Sequence, residues 1–158
     1  MTEIRAAREN EIDRLIEIAR ATYLGTMAAI VPAEALKAFH EGDEAGRFVR
    51  ACWQDFDVTV VDNKVAGFLF VHENKIESLH IHPDHARKGY GGALLAHGEE
   101  KIASSHRHAD LNVLEGHDNA QAFYIAHGWY DVRHFEGLEL GDVPAPMILM
   151  RKTLARKA

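Results

Sequence analysis

Apolar residues recur along the chain at two spacings, one typical of helices and one typical of strands. Residues 9–23 show the helical spacing, with apolar positions at Ile12, Leu15, Ile16, Ala19 and Tyr23. Shorter helical patterns cover 33–39, 45–53 and 119–127, and another begins at Ala93. Strands are predicted at 2–6, 58–61, 65–71, 111–114, 129–135 and 147–153, with one more from Ile76 that stops at Pro83.

The order of these elements predicts a mixed sheet. Asp62-Asn63-Lys64 joins two strands as a hairpin, so the early part of the sheet should be antiparallel. The helix from Ala93 lies between two strands and would act as a crossover, which makes the sheet parallel there. Residues 137–146 are predicted to form a loop. The predicted fold class is α+β (α/β), with a sheet of about six to seven strands flanked by helices, in one domain over 1–158.

A glycine-rich turn follows Pro83. Lys88-Gly89-Tyr90-Gly91-Gly92 lies where the predicted strand ends and the predicted helix opens. Glycines let the backbone approach a ligand closely, and the first amides of a helix carry a partial positive charge and have no partners inside the helix. The turn therefore predicts a phosphate site. The alternative is a surface turn whose glycines only cap and pack.

Two common phosphate motifs do not match this turn. A nucleotide P-loop requires Gly-Lys-Ser/Thr at its end, and a dinucleotide fingerprint requires a third glycine where Leu94 stands. The turn instead resembles the pyrophosphate loop of the GNAT acetyltransferases, which reads Arg/Gln-x-x-Gly-x-Gly/Ala after a strand ending in Val/Ile-x-Pro. The matching residues are Ile81-His82-Pro83 and Gly89-Tyr90-Gly91. Ala86 departs from the pattern; because backbone amides supply most of the phosphate contacts, we expect the loss of this one side chain to weaken cofactor binding without abolishing it, and Arg87 or Lys88 could compensate.

A second motif of the same family lies further along the chain. The family pattern Asn-x-x-Ala-x-x-Phe-Tyr-x-x-x-Gly-Phe is similar to the stretch from His117 to Trp129. Ala120, Phe123, Tyr124 and Gly128 match, whereas His117 replaces the asparagine and Trp129 replaces the phenylalanine. Two motifs in the right order are a stronger signal than either motif alone.

The resemblance implies the GNAT fold and acetyl-CoA as co-substrate. It implies that Leu79, His80 and Ile81 hydrogen-bond the pantetheine arm like an added strand, with one amide polarising the thioester carbonyl. The cofactor-binding residues it implies are Leu79, His80, Ile81, Arg87, Lys88, Gly89, Tyr90, Gly91, Gly92, Ala93, His117, Asn119, Ala120, Phe123 and Tyr124. Its variable early helices would form a wall of the acceptor pocket, with Tyr23, Met27, Phe39 and Trp53 as candidates; packing alone would explain each of these residues equally well.

Three residues are candidates for catalysis. The resemblance makes Tyr124 the general acid that protonates the departing thiolate, and a packing role is the alternative. An alkylamine is mostly charged at neutral pH, so the attacking amine must lose a proton. Glu77 is the first candidate for its base and His80 the second, and strict alternation would place His80 on the face opposite Glu77. Glu77 could instead pair with a neighbouring strand while ordered water carries the proton.

The resemblance implies an N-acetyltransferase that transfers acetyl from acetyl-CoA to a primary amine of a small molecule or peptide by direct attack. Cys52 lies in the variable region with no neighbouring histidine, which gives a covalent thiol intermediate little support. The alternative is a catalytically weak acyl-CoA-binding or sensing module of the same fold. The oligomeric state is open, and a homodimer is one possibility.

Composition and charge narrow the possible partners, cellular location and metal content of the protein. The net charge of −6 disfavours a broad nucleic-acid surface and is compatible with a cationic acceptor. No apolar run is long enough for a membrane span, and a lone Cys52 with no signal-like start favours the cytoplasm. The eleven histidines include His80-x-His82 and His106-x-His108, but nothing completes a ligand set, so no metal is expected.

Overall fold

The computed structural model describes residues 2–140 and 143–155 and contains seven strands and five α-helices in that part of the chain. In chain order the elements are β1 (Thr2–Ala6), α1 (Ile12–Met27), α2 (Ala33–Glu41), α3 (Glu44–Cys52), β2 (Phe56–Val61), β3 (Lys64–His72), β4 (Lys75–Ile81), α4 (Tyr90–Ala103), β5 (His108–Leu114), α5 (Asp118–Ala126), β6 (Tyr130–Leu140) and β7 (Val143–Thr153). None of these helices is long and apolar enough to cross a membrane.

The strands form one mixed sheet in the order β1-β2-β3-β4-β5-β7-β6. Every neighbouring pair is antiparallel except β4 and β5, which are joined through α4 and run parallel. Asp62 and Asn63 both adopt positive φ in the β2–β3 turn, which matches the twist of a tight hairpin. The predicted mixed sheet flanked by helices is confirmed.

Helices cover both faces of the sheet. On the α1 face, α1, α2 and α3 pack against β2 and β3 through a core that includes Leu15, Val49 and Phe68. On the α4 face, α4 and α5 pack against the sheet through a core that includes Leu94, Leu111 and Met150. The two faces meet different strand residues because successive side chains point to opposite sides.

The predicted loop at 137–146 is wrong for the described residues, since β6 continues to Leu140 and β7 begins at Val143; residues 141–142 lie outside the description. Gly137, read as a loop signal, is the extra residue where the β6–β7 register shifts. The Pro146 carbonyl accepts a hydrogen bond from the Glu115 amide. The edge of β7 at which Pro146 lacks an N–H therefore faces the segment just beyond the end of β5. A proline is tolerated there because no ladder donor is needed.

Two helix boundaries also differ from the sequence pattern. α1 continues past Gly25 to Met27, and α4 begins at Tyr90, three residues before the predicted start at Ala93. Gly25 has open space around its Cα, so the helix tolerates it without any packing role. The earlier start of α4 places Gly91 and Gly92 in its first turn.

Candidate active site

A gap opens between β4 and β5. The two strands pair only at Lys75 and Asp110, and the Asp110 amide donates to the Asn74 carbonyl at the same end. Residues 79–81 still pair with β3, but within the described residues their β5-facing edge has no ladder partner. An unpaired strand edge can hydrogen-bond an extended ligand as though it were a further strand.

The glycine turn lies at the end of this gap and opens α4. Gly89 precedes the helix with φ of 87°, a left-handed conformation that glycine adopts without strain. No side chain caps the helix, and the amides of Tyr90, Gly91 and Gly92 have no hydrogen-bond acceptor among residues 2–140 and 143–155. Arg87 also has a positive φ of 61°. Free amides at a helix start are suited to bind an anion.

Helix α5 packs beside the first turn of α4. A Cβ added at Gly91 would lie 3.6 Å from Phe123 Cζ and 3.7 Å from Ile81 Cγ1. A Cβ added at Gly92 would lie 3.1 Å from His127 Nε2. The fold therefore brings Ile81, the two glycines and Phe123 together, as the two sequence motifs require.

This part of the chain fits acetyl-CoA. The uncapped amides of Tyr90, Gly91 and Gly92 suit the pyrophosphate, and the unpaired edge of residues 79–81 suits the amide-bearing pantetheine arm. Both features belong to the backbone, so the fit survives the replacement of the family's arginine or glutamine by Ala86.

Tyr124 packs on the α4 face beside the gap. Its ring meets Phe123 at 5.1 Å and Trp129 at 6.0 Å between centroids, and it packs against the α4-face core, as Leu79 and Ile81 also do. Burial raises the pKa of the Tyr124 phenol above its ordinary value. The phenol therefore keeps its proton at neutral pH and can donate it only to a strongly basic partner.

Glu77 is the extra residue of a bulge in β4. Phe70 pairs with Ser78 and Val71 pairs with Ile76, so Glu77 has no partner of its own on β3. Its carboxylate is about one third exposed, with Lys75 Nζ at 4.0 Å. Burial raises the pKa of the Cys52 thiol on α3, and the negative charge of Glu77 adds to this increase.

The bulge corrects the alternation expected along β4. Ile76 packs into the α4-face core, where Leu79 and Ile81 also pack, whereas Ser78 and His80 meet Tyr23 on the α1 face. Even-numbered side chains therefore change face across Glu77. The strict alternation on which the opposite faces of Glu77 and His80 were predicted therefore does not hold along β4.

His80 is buried between two aromatic rings on the α1 face. Its centroid lies 4.9 Å from both Tyr23 and Phe68, and the residue is 9% exposed. Its Nδ1 has no hydrogen-bond partner among the described residues. Burial lowers the pKa of the His80 imidazole to about 4, so it is neutral at physiological pH. A neutral imidazole can accept a hydrogen bond but holds a proton weakly.

The other residues predicted to bind the cofactor or the acceptor are partly exposed to solvent and partly packed in the cores. Arg87, Lys88, Ala93 and Asn119 are exposed, and Ala120 packs into the α4-face core. His117 precedes the first turn of α5, and burial lowers the pKa of its imidazole. Of the expected acceptor wall, Tyr23, Phe39 and Trp53 pack against the α1-face core, and the Met27 side chain lies outside the described part of the chain.

Three residues near the gap were missed by the sequence reasoning. Gly67 on β3 pairs with Ile81, and a Cβ there would overlap the His80 carbonyl oxygen. Ser78 lies close to the Tyr23 phenol, and His127 lies close to Gly92. Only Gly67 carried a usable signal, because glycine inside a strand often marks a close backbone approach.

Within the described residues no group of histidine, cysteine and carboxylate side chains is placed to hold a metal ion.

Comparison with known proteins identifies the family. The model of the acetyltransferase (GNAT) family matches residues 12–129, whereas no curated protein gives a significant match. The fold is similar to apo YjaB from Escherichia coli, at 23% identity and a TM-score of 0.75 over 98% of this chain and 99% of that one.

Two further structures have the same fold. The PaiA N-acetyltransferase from Thermoplasma acidophilum, solved in complex with coenzyme A, is 21% identical with a TM-score of 0.73 over 97% of this chain and 99% of that one. The ribosomal-protein-S18-alanine N-acetyltransferase from Escherichia coli is 16% identical with a TM-score of 0.72 over 100% of this chain and 97% of that one. With the motifs and the fold, the family match leads to one conclusion: this chain belongs to the acetyltransferase (GNAT) family and is an acyltransferase that uses acetyl-CoA.

Proposed function

We propose that the protein is an N-acetyltransferase that acetylates a primary amine of a small molecule or a peptide. The observation that supports this most is the free edge of β4 between two chemically different faces. Tyr124, a proton donor, lies on the α4 face, His80, a proton acceptor, lies on the α1 face, and Glu77, a second proton acceptor, lies at the bulge of β4. A reaction that consumes one proton and releases another suits such an arrangement.

Acetyl-CoA supplies an activated thioester, from which the amine takes the acetyl group by direct attack with no covalent enzyme intermediate. The β4 edge aligns the pantetheine arm, and its free amides polarise the thioester carbonyl. Glu77 accepts the proton that the amine must lose, directly or through water, because its exposed carboxylate is reachable from solvent. His80, neutral and buried, accepts a hydrogen bond that positions the amine.

Tyr124 provides the proton for the departing thiolate. A thiol and a phenol ordinarily differ by about 1.5 pKa units, and burial of Tyr124 widens that difference. The same buried surroundings would raise the pKa of a thiolate beside it, which restores part of the match. A donated hydrogen bond alone would also stabilise the leaving sulfur.

The experiment is thiol release from acetyl-CoA in the presence of a panel of primary amines and peptides, with mass spectrometry of the products. We expect at least one amine to release thiol in step with formation of an N-acetyl product. Binding of acetyl-CoA with no transfer to any amine or peptide in a broad panel would contradict the proposal and favour a sensing role.

A further inference from the structure

The contact between His127 and Gly92 joins the end of α5 to the first turn of α4. His127 Nε2 lies 3.1 Å from the position that a Cβ at Gly92 would occupy, which is closer than side chains normally approach. Gly92 thus leaves room for the imidazole at the helix start. The ring is exposed to solvent and also packs on Phe123, at 4.5 Å between centroids.

The orientation of this imidazole is fixed by one hydrogen bond. Nδ1 lies 2.7 Å from the Phe123 carbonyl oxygen, which can only accept, so Nδ1 carries the hydrogen. Nε2 is therefore the nitrogen that is free to gain a proton. That nitrogen faces the turn whose amides at Tyr90, Gly91 and Gly92 have no acceptor within the described residues.

We propose that His127 supplies the side-chain contact to an anionic phosphate of coenzyme A that Ala86 cannot make. An imidazole protonated on Nε2 is both a donor and a positive charge beside the uncapped turn. A bound phosphate favours the protonated form, so binding takes up a proton and is tighter at lower pH. This inference rests on the use of acetyl-CoA, and it assigns a role to a residue at a variable position of the second motif.

Other charged groups around the turn do not offer the same contact. Lys152, which approaches Gly128, is paired with Glu99 of α4. Arg87 and Lys88 are exposed on the turn. Lysine and arginine as residue types ordinarily do not change charge between pH 6 and pH 8, so they would not make binding pH-dependent. His85 is the other histidine at the turn, where its ring meets Tyr90 at 6.2 Å, and burial lowers the pKa of its imidazole.

The test is calorimetric titration of coenzyme A and of pantetheine, which lacks phosphate, at pH 6 and pH 8. The key variant is His127→Asn, because the asparagine amide can keep the hydrogen bond to the Phe123 carbonyl but has no group at Nε2. The control variant is His85→Gln. Coenzyme A carries a phosphate monoester that itself titrates near pH 6, so the comparison is between variants and not between pH values alone.

We expect the wild type to gain about two- to fivefold more affinity for coenzyme A than His127→Asn on going from pH 8 to pH 6. His85→Gln should follow the wild type, and pantetheine binding should not distinguish the variants. Adding Ala86→Gln to His127→Asn should restore affinity without restoring the extra pH dependence.

Three results would overturn the inference. The first is the same pH dependence in His127→Asn and the wild type, which leaves the proposed function untouched. The second is an equal loss of pantetheine binding in His127→Asn, which would mean that the histidine only supports the local structure. The third is no binding of coenzyme A to the folded wild type at either pH, which contradicts the proposed function as well.

Discussion

One inserted residue decides which side chains of β4 lie on which face of the sheet. Without the bulge at Glu77, the side chains of Ile76, Ser78 and His80 would all lie on one face of the sheet. The aliphatic side chain of Ile76 would then lie on the same face as the polar side chains of Ser78 and His80. With it, Glu77 remains solvent-accessible while the register of residues 78–81 is kept. Bulges often lie beside active sites because they redirect a side chain in this way.

Glu77→Gln tests whether this carboxylate accepts the amine's proton. The substitution keeps the shape of the side chain and removes its charge. We expect turnover at neutral pH to fall by about tenfold to a hundredfold and to recover partly as pH rises, because more of the amine is then already deprotonated. The measurement is a pH–rate profile with a fixed amine. A profile parallel to that of the wild type would exclude the role, and a loss at every pH with a raised KM would mean that Glu77 binds the cationic amine.

Tyr124→Phe tests the proton donor. The variant removes only the hydroxyl, and the ring contacts to Phe123 and Trp129 remain. We expect turnover to drop by a factor on the order of 10² while acetyl-CoA affinity and thermal stability stay close to those of the wild type. Steady-state kinetics and calorimetry measure the two effects separately. Unchanged turnover would assign Tyr124 to packing.

His80 links stability to pH. Its pKa in the folded protein is about 4, against about 6.5 for an exposed histidine. Between these values the unfolded chain binds more protons than the folded one, so stability falls as pH drops from about 6.5 to about 4, by at most on the order of 3 kcal/mol.

The variant that checks this is His80→Phe, which can keep the aromatic packing with Tyr23 and Phe68 and cannot titrate. Urea unfolding at pH 7, 5.5 and 4 gives the free energy of unfolding of each protein. The free energy should fall more steeply for the wild type than for the variant over this range. Equal slopes would show that His80 is not held neutral by burial.

At the scale of elements, the register between β3 and β4 depends on Gly67. A Cβ there would overlap the His80 carbonyl oxygen and the Ile81 side chain. We expect Gly67→Ala to destabilise the fold by about 1–3 kcal/mol and to lower the melting temperature by roughly 2–4 °C per kcal/mol. Gly25→Ala is the control, because no heavy atom lies within 4 Å of the added carbon. Equal melting temperatures for the two variants would contradict this account of the β3–β4 contact.

The sequence predicted well those elements whose residue pattern is determined by local chemistry alone. The apolar face of α1 and the Asp62-Asn63 turn depend on local chemistry, and both appear as predicted. Gly137 and Pro146 misled the prediction because their usual meaning is a turn, whereas here they lie at a bulge and beyond the end of a neighbouring strand. Strand pairing is a non-local property, and single-sequence patterns do not contain it.

At the scale of the whole molecule, the fold followed from two motifs in the correct order, and the gap between β4 and β5 did not. The gap arises because the strands pair at Lys75 and Asp110 and nowhere further along. The contacts of Gly92 with His127 and of Tyr23 with His80 join residues far apart in the chain. Such contacts arise from tertiary packing. The motifs therefore predicted which residues form the candidate site, but the sequence did not predict which side chains surround them.

Calorimetric titration of acetyl-CoA into the folded protein tests whether the turn before α4 and the free edge of β4 bind this co-substrate. Gly91→Val places a branched side chain between Phe123, Ile81 and the turn, and Ala96→Val on the exposed side of the same helix is the control. We predict a dissociation constant between about 1 μM and 1 mM for the wild type and for Ala96→Val, and at least about tenfold weaker binding for Gly91→Val. The absence of binding to folded wild-type protein, or equal binding by Gly91→Val, would contradict the account.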